Sequence, residues 1–491
     1  MNKKCIFIIF MACILVLGAC FSAWKEDEGT ISISIGGGEA FGRAAGTAGG
    51  ANTDGEEGFP WPDEVSHTIK LSGGSGSGPN RSGIKGGETV HFSVAPGQWT
   101  ITIEALYRNE PKPYAEGSRT VNIKPGPNGL IVIPMSLKVI KGDDYIDGNN
   151  NGTTDDGDNK AGTLRWAIEV VQETSKDIVI VIDLDNDSDG VINLMGTLPD
   201  IKGKSVTIRA KNEVTIKRAT PNFTASLFTI REDGTLTLGG AGSAKITIDG
   251  SDANATEPLI TINAGTLIMN DDVTLQNNTN NNGNGGGVAV NNNGTFTMNG
   301  GTIKGNTAAG GTATPSTGGY GGGVYVAAGG KFTMNGGTIG GDKTTEGNTA
   351  DSYGGGVYVT GADSEFTMNS GKISGNTANE GGGVCVADNG IFIMSDGEIS
   401  GNTLSSDNDG GGVLVDNGIF RIAGGTIYGS DNNDLTNQAG KRGAALYNRN
   451  GTAQYGKFDG DTWAGIDLLD PNIPYMDNTI KVVDGVLIPN P

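Results

Sequence analysis

Two acidic segments carry residue types at the spacing of a cation loop. Asp147, Asn149, Asn151, Asp155 and Asp158 put oxygen-bearing side chains at positions 1, 3, 5, 9 and 12, with Gly152 at position 6. A loop with that spacing can wrap Ca²⁺ in hard oxygen ligands. Position 12 is Asp where such loops carry Glu, and no helical pattern flanks the segment. Asp185-x-Asp187-x-Asp189-Gly190 repeats the first half, but Gly196 stands where the last carboxylate belongs. Acidic stretches rich in Asn and Gly produce such matches by chance, so Ca²⁺ is a candidate ligand and solvated turns are the plainer reading. Acid–base chemistry has few other carriers: the chain has only two histidines, His67 and His91. The net charge of −21 argues against nucleic acid as a partner, because phosphate binding needs clustered Lys and Arg. It suits a soluble surface that resists self-association.

The N-terminus carries a different chemistry. Lys3 and Lys4 precede an apolar run over residues 6–17, too short to cross a bilayer as a stable helix. The run ends in Leu17-Gly18-Ala19-Cys20. An aliphatic residue, two small ones and a Cys resemble the lipobox of bacterial lipoproteins. The resemblance implies that residues 1–19 are a signal peptide and that the Cys20 thiol carries a diacylglycerol. It also implies export and a lipid anchor in a bacterial membrane, with the outer membrane or cell surface as the expected place. Acyl chains add about 0.8 kcal/mol of membrane affinity per buried CH₂. Cys5 and Cys13 would leave with the signal peptide, so Cys385 would be the one free thiol and no internal disulfide could form.

The rest of the chain divides by pattern. Residues 20–65 read as a lipidated tether and a Gly-rich linker, interrupted by a strand-like stretch at 30–35. Residues 66–138 alternate with period two between Gly and Pro turns, which predicts a small β-sandwich that the 30–35 strand completes. Residues 139–160 form an acidic linker. Beyond it, Leu164, Ala167, Ile168 and Val171 fall on one helical face. A short amphipathic helix here predicts a cap over the first coil of a repeat domain spanning 161–491.

The repeat is the strongest pattern. Gly-Gly-Gly-Val blocks end at Val288, Val324, Val357, Val384 and Val413. Each leads to a Phe, at 296, 332, 366, 392 and 420, and an Ile follows every one of them by seven residues. Gly-Asn pairs then place Asn306, Asn348, Asn376 and Asn402. Weaker copies begin near Leu227 and Leu259. Short strands at this period predict a right-handed parallel β-helix with three strands per coil and about eight to ten coils, some 40–50 Å long. Alternate side chains point inward, so Val, Phe, Met and Ile should stack on their counterparts one coil away. The Gly-Asn positions should form an amide ladder. Outward positions of the Gly-Gly-Gly-Val strand read Ala289, Tyr325, Tyr358, Cys385 and Leu414. They predict one external stripe, with Tyr325 and Tyr358 as a candidate platform for a sugar ring or partner protein. Such ladders also commonly just shield the backbone.

Residues 160–480 resemble the pectin-lyase-like superfamily of right-handed β-helices. More narrowly, the glycine-triplet and Phe-Thr-Met-Asn pattern looks like surface lipoproteins and polymorphic membrane proteins of spirochaetes and chlamydiae. Many members of the superfamily cleave polysaccharides, so the resemblance raises a lyase or glycoside hydrolase. Hydrolases of this type use clustered Asp with a nearby His, and both histidines lie in the expected sandwich. Lyases of this type use a Ca²⁺ nest and an Arg or Lys base. Arg421 should point outward, but Asp388, Asp396 and Asp416 occur singly in turns. No catalytic residue is assigned. The leading expectation is a non-catalytic, lipid-anchored surface protein that adheres to glycan or to a host or neighbouring surface protein. A polysaccharide-cleaving enzyme and a structural spacer are the alternatives.

Overall fold

A computed structural model describes residues 29–34, 65–144 and 163–488, apart from short internal stretches. Cys20 and the segment before it lie outside the described residues, as do the 147–158 loop, Asp185 and Asp187. The chain forms two compact units that meet in sequence at Leu137 and Lys138.

In the first unit, β1 (Gly29–Ser34) pairs antiparallel with β4 (Thr89–Val94). A second antiparallel sheet runs β3 (Gly76–Ile84), β2 (Val65–Gly73), β5 (Gly97–Tyr107), β6 (Ala115–Ile123). Alternation in Ile31-Ser32-Ile33 sends both isoleucines inward, where they join Ile69, Leu71, Phe92, Trp99 and Ile101 in one apolar cluster. Strand β1 thus adds to the first unit a small antiparallel sheet that shares this apolar cluster.

The second unit is a parallel β-solenoid of about nine turns. Helix α1 (Leu164–Glu173) stands at its start and packs on the strands Ile178–Ile182 and Ile201–Lys202. Thr163 Oγ1 accepts the Trp166 amide at 3.2 Å and so caps the helix. The Arg165 guanidinium donates to Gly196 O and Thr197 O, tying the helix to a coil corner. Leu164, Ala167, Ile168 and Val171 are all fully buried, together with Trp166. Val139 and the strand Asp143–Asp144, which composition assigns to the acidic linker, bond to the first coil through Asp183 and Asn193.

Three parallel sheets run the length of the stack. The Phe sheet holds Phe296, Phe332, Phe366, Phe392 and Phe420 in register, with successive rings 4.7, 4.7, 4.7 and 5.0 Å apart. The 4.7 Å spacing equals the distance between neighbouring strands, so the first four rings lie flat on one another without bending the backbone, and Phe420 tilts 23° from Phe392. The Ile sheet aligns Ile303, Ile339, Ile373, Ile399 and Ile427, and the triplet sheet aligns the five Val residues. A fourth, six-stranded ladder adds to the three strands that the repeat predicts. It forms because the Thr-Ala after most Gly-Asn pairs is extended and places Ala308, Ala350 and Ala378 inward.

The glycine triplets solve a packing problem. A Cβ on Gly323 would lie 2.7 Å from Gly356 O, 3.0 Å from Ile339 Cγ2 and 3.1 Å from Asn348 Nδ2. Only a bare backbone can pass there. The Asn ladder beneath it is fully buried and longer than the Gly-Asn pairs indicate, running Asn278, Asn306, Asn348, Asn376, Asn402, Asn437. From Asn306 on, each Nδ2 donates to the next Oδ1 at 2.9–3.1 Å. The chain of amides therefore presents its oxygen end toward the first coils. There the buried Arg218 donates to Asn278 Oδ1 at 2.5 Å and to Ala225 O at 2.7 Å. Burial pushes the Arg218 guanidinium down to about 10, so it stays charged at neutral pH.

Candidate functional site

The outer side of the triplet sheet carries two adjacent columns. The first is the stripe read from the strand parity, and it extends one coil further to Tyr447: Ala289, Tyr325, Tyr358, Cys385, Leu414, Tyr447. The second is the residue immediately before each triplet, Asn284, Tyr320, Tyr353, Glu380 and Asp409, continued one coil on by Arg442 before Gly443-Ala444-Ala445. Amide bonds such as Gly321 N to Tyr353 O and Gly354 N to Glu380 O hold this column in step. Reading only the strand missed it. The position before the triplet, inspected coil by coil, would have shown it.

Together the columns build a second apolar cluster outside the solenoid core. Tyr325 and Tyr358 stack at 5.8 Å with planes 5° apart, and Tyr320 lies 4.9 Å from Tyr358. Tyr353 stands 5.7 Å from Tyr320. Tyr358 is 7% exposed and forms the floor of the array, whereas Tyr320, Tyr325 and Tyr353 keep partly open edges. Of the two tyrosines that parity singled out, Tyr325 therefore reaches the surface and Tyr358 supports it from below.

A charged end follows the tyrosines along the stack. Arg442 lies 4.9 Å from the Tyr447 ring and 5.8 Å from that of Tyr475. It also donates to Asp409 at 3.1 Å and to Tyr447 Oη at 3.0 Å. Arg449 pairs with both Glu380 and Asp416. Burial, reinforced by the Asp416 and Glu380 carboxylates, pushes the Cys385 thiol well above its ordinary range. Burial likewise raises the phenols of Tyr325, Tyr353 and Tyr358. The flank thus offers protonated hydroxyls and ring area at neutral pH.

Other sequence candidates are dispersed. Arg421 points outward as expected, with its guanidinium 5.8 Å from the Trp463 ring. Asp416 is held by Arg449, Asp388 accepts from Thr360, and Asp396 accepts its neighbour's amide. His67 and His91 sit on β2 and β4 of the first unit. Among the described residues, no three His, Cys, Asp or Glu side chains converge as a metal-ligand set, and no helix is long and apolar enough to cross a membrane.

Fold and flank define the class: a parallel β-solenoid repeat protein with an aromatic and charged outer seam. Comparison with family models, with curated proteins and with solved structures finds no match in any of the three.

Proposed function

We propose that the protein is a non-catalytic surface protein, anchored through a lipid on Cys20, whose triplet flank binds carbohydrate. The observation that carries this reading is the array of Tyr320, Tyr325 and Tyr353 over Tyr358, with Arg442 further along the same seam. Tyrosine edges supply apolar area and a hydroxyl from one rigid side chain, at little entropic cost. A sugar chain, with alternating C–H surface and hydroxyls, suits that mixture. The acids of the seam are paired with Arg442 and Arg449, and the chain as a whole is strongly acidic, which favours a neutral glycan over a polyanion. The short apolar leader and Leu17-Gly18-Ala19-Cys20 support the anchor and export.

A glycan array probed with the full chain and with a Tyr320→Ala/Tyr353→Ala variant tests the reading. Binding that the double variant loses supports it. Binding that survives the double variant moves the site elsewhere, and no binding to any glycan leaves the spacer reading. Unsaturated or reducing products released from uronate polymers would replace it with a polysaccharide-cleaving enzyme.

A further inference from the structure

The opposite chemistry appears on the outer face of the Phe sheet. Seven consecutive strands, from Thr235–Leu238 to Ile419–Ile422, present two outward side chains each. All of these are Thr or Ile except Lys331, Glu365 and Arg421. On a chain of net charge −21 this face is close to neutral and rich in β-branched residues. With one Lys, one Glu and one Arg among its outward positions, the face adds little charge repulsion between two copies.

Lys331 and Glu365 are register partners on adjacent coils near the middle of the face. Their Nζ and Oε2 lie 3.5 Å apart, and the side chains are 46% and 31% exposed. A pair this open contributes little within its own chain.

We infer that this face is a self-complementary interface for a second copy of the chain, with the two solenoids antiparallel. A two-fold axis lying in the face, parallel to the strands and passing between the two coils, sets Lys331 opposite Glu365 of the second copy and Glu365 opposite its Lys331. Each contact then occurs twice, as an isologous interface requires. The same operation lays Thr295 and Thr297 on Ile391 and Ile393 and brings no like charges together. Side-by-side arrangements with parallel axes lose the charge match.

Seven strands about 4.8 Å apart and about 13 Å long cover roughly 400 Å² per copy, so the interface sits at the weak end of specific association. The dimer is reversible and forms as concentration rises. This inference does not depend on what the tyrosine flank binds.

Sedimentation of the full chain with two charge variants tests it. Wild type should show a monomer–dimer equilibrium at submillimolar concentration. Lys331→Glu and Glu365→Lys should each be monomeric, because each faces like charge in its own dimer. An equimolar mixture of the two variants should dimerise again. The intrachain pair stays broken in both members of that mixture, so recovery reports contact between chains. A mixture that remains monomeric, or single variants that associate as wild type does, overturns the inference.

Discussion

Arg449 reaches back across the outer face of the solenoid to Glu380, 69 residues earlier, while its other terminal nitrogen holds Asp416 at 3.3 Å. This three-member cluster lies beside Cys385 and Leu414, which are 1% and 0% exposed on what strand parity makes an outward stripe. Side chains from three coils therefore meet beside the middle of the seam, and the partly open edges of Tyr320, Tyr325 and Tyr353 lie to one side of it.

Arg449→Met removes the charge and leaves two carboxylates facing each other. A third of the Arg449 side chain is exposed, so solvent screening holds the expected cost to about 1–2 kcal/mol. Local opening should then admit a thiol reagent to Cys385 about tenfold faster, read by peptide mapping of the modified residue. Unchanged labelling would show that packing alone covers the thiol.

Arg218→Met takes the cation from the oxygen end of the Asn ladder and leaves the buried Asn278 Oδ1 without its charged donor. Loss of about 1–3 kcal/mol is expected, concentrated in the first coils because each coil contacts only its neighbours. Hydrogen exchange should quicken near residues 214–280 more than near 380–430. Uniform acceleration along the stack would contradict that assignment.

Phe366 sits between two rings at 4.7 Å. Replacement by Ala should cost about 3–5 kcal/mol through the lost transfer energy and the cavity, and replacement by Leu much less. Thr367→Ser, one residue on and outward, keeps the hydroxyl that donates to Glu365; it serves as the control and should stay within about 0.5 kcal/mol in denaturant unfolding.

His67 is buried, and burial is the main cause that lowers its imidazole below 6.5; the Nδ1 bond with Ile84 O partly opposes this. The unfolded chain therefore binds the proton more readily. The folded first unit keeps this stability above pH 6.5 and loses it as pH falls from 6.5 through the lower folded value. Thermal unfolding between pH 7.5 and 5 should weaken toward acid in wild type, and less steeply in His67→Gln. Equal slopes would remove His67 as the cause.

The coil stack was legible because its constraint is one-dimensional. Each inward Phe, Met, Ile and Val must meet its own kind one strand spacing away, so the seven-residue step from Phe to Ile is written directly in the chain. The helix was legible for a similar reason, since its apolar face must cover the first strands. Asn437 was not, because ten residues separate it from Ile427 and no Gly precedes it, although the ladder places it by hydrogen bonds alone.

The sequence by itself therefore determined the solenoid, its register and the tyrosines of the outer stripe. Tertiary structure alone decided which of those tyrosines stay open. Periodicity specifies which way a side chain leaves its own strand, but not what neighbouring coils lay over it. Tyr358 is covered by Tyr320 and Tyr353, and Cys385 lies beside Arg449 and Glu380. Those contacts join residues far apart in the chain, and they exist only once the turns are stacked.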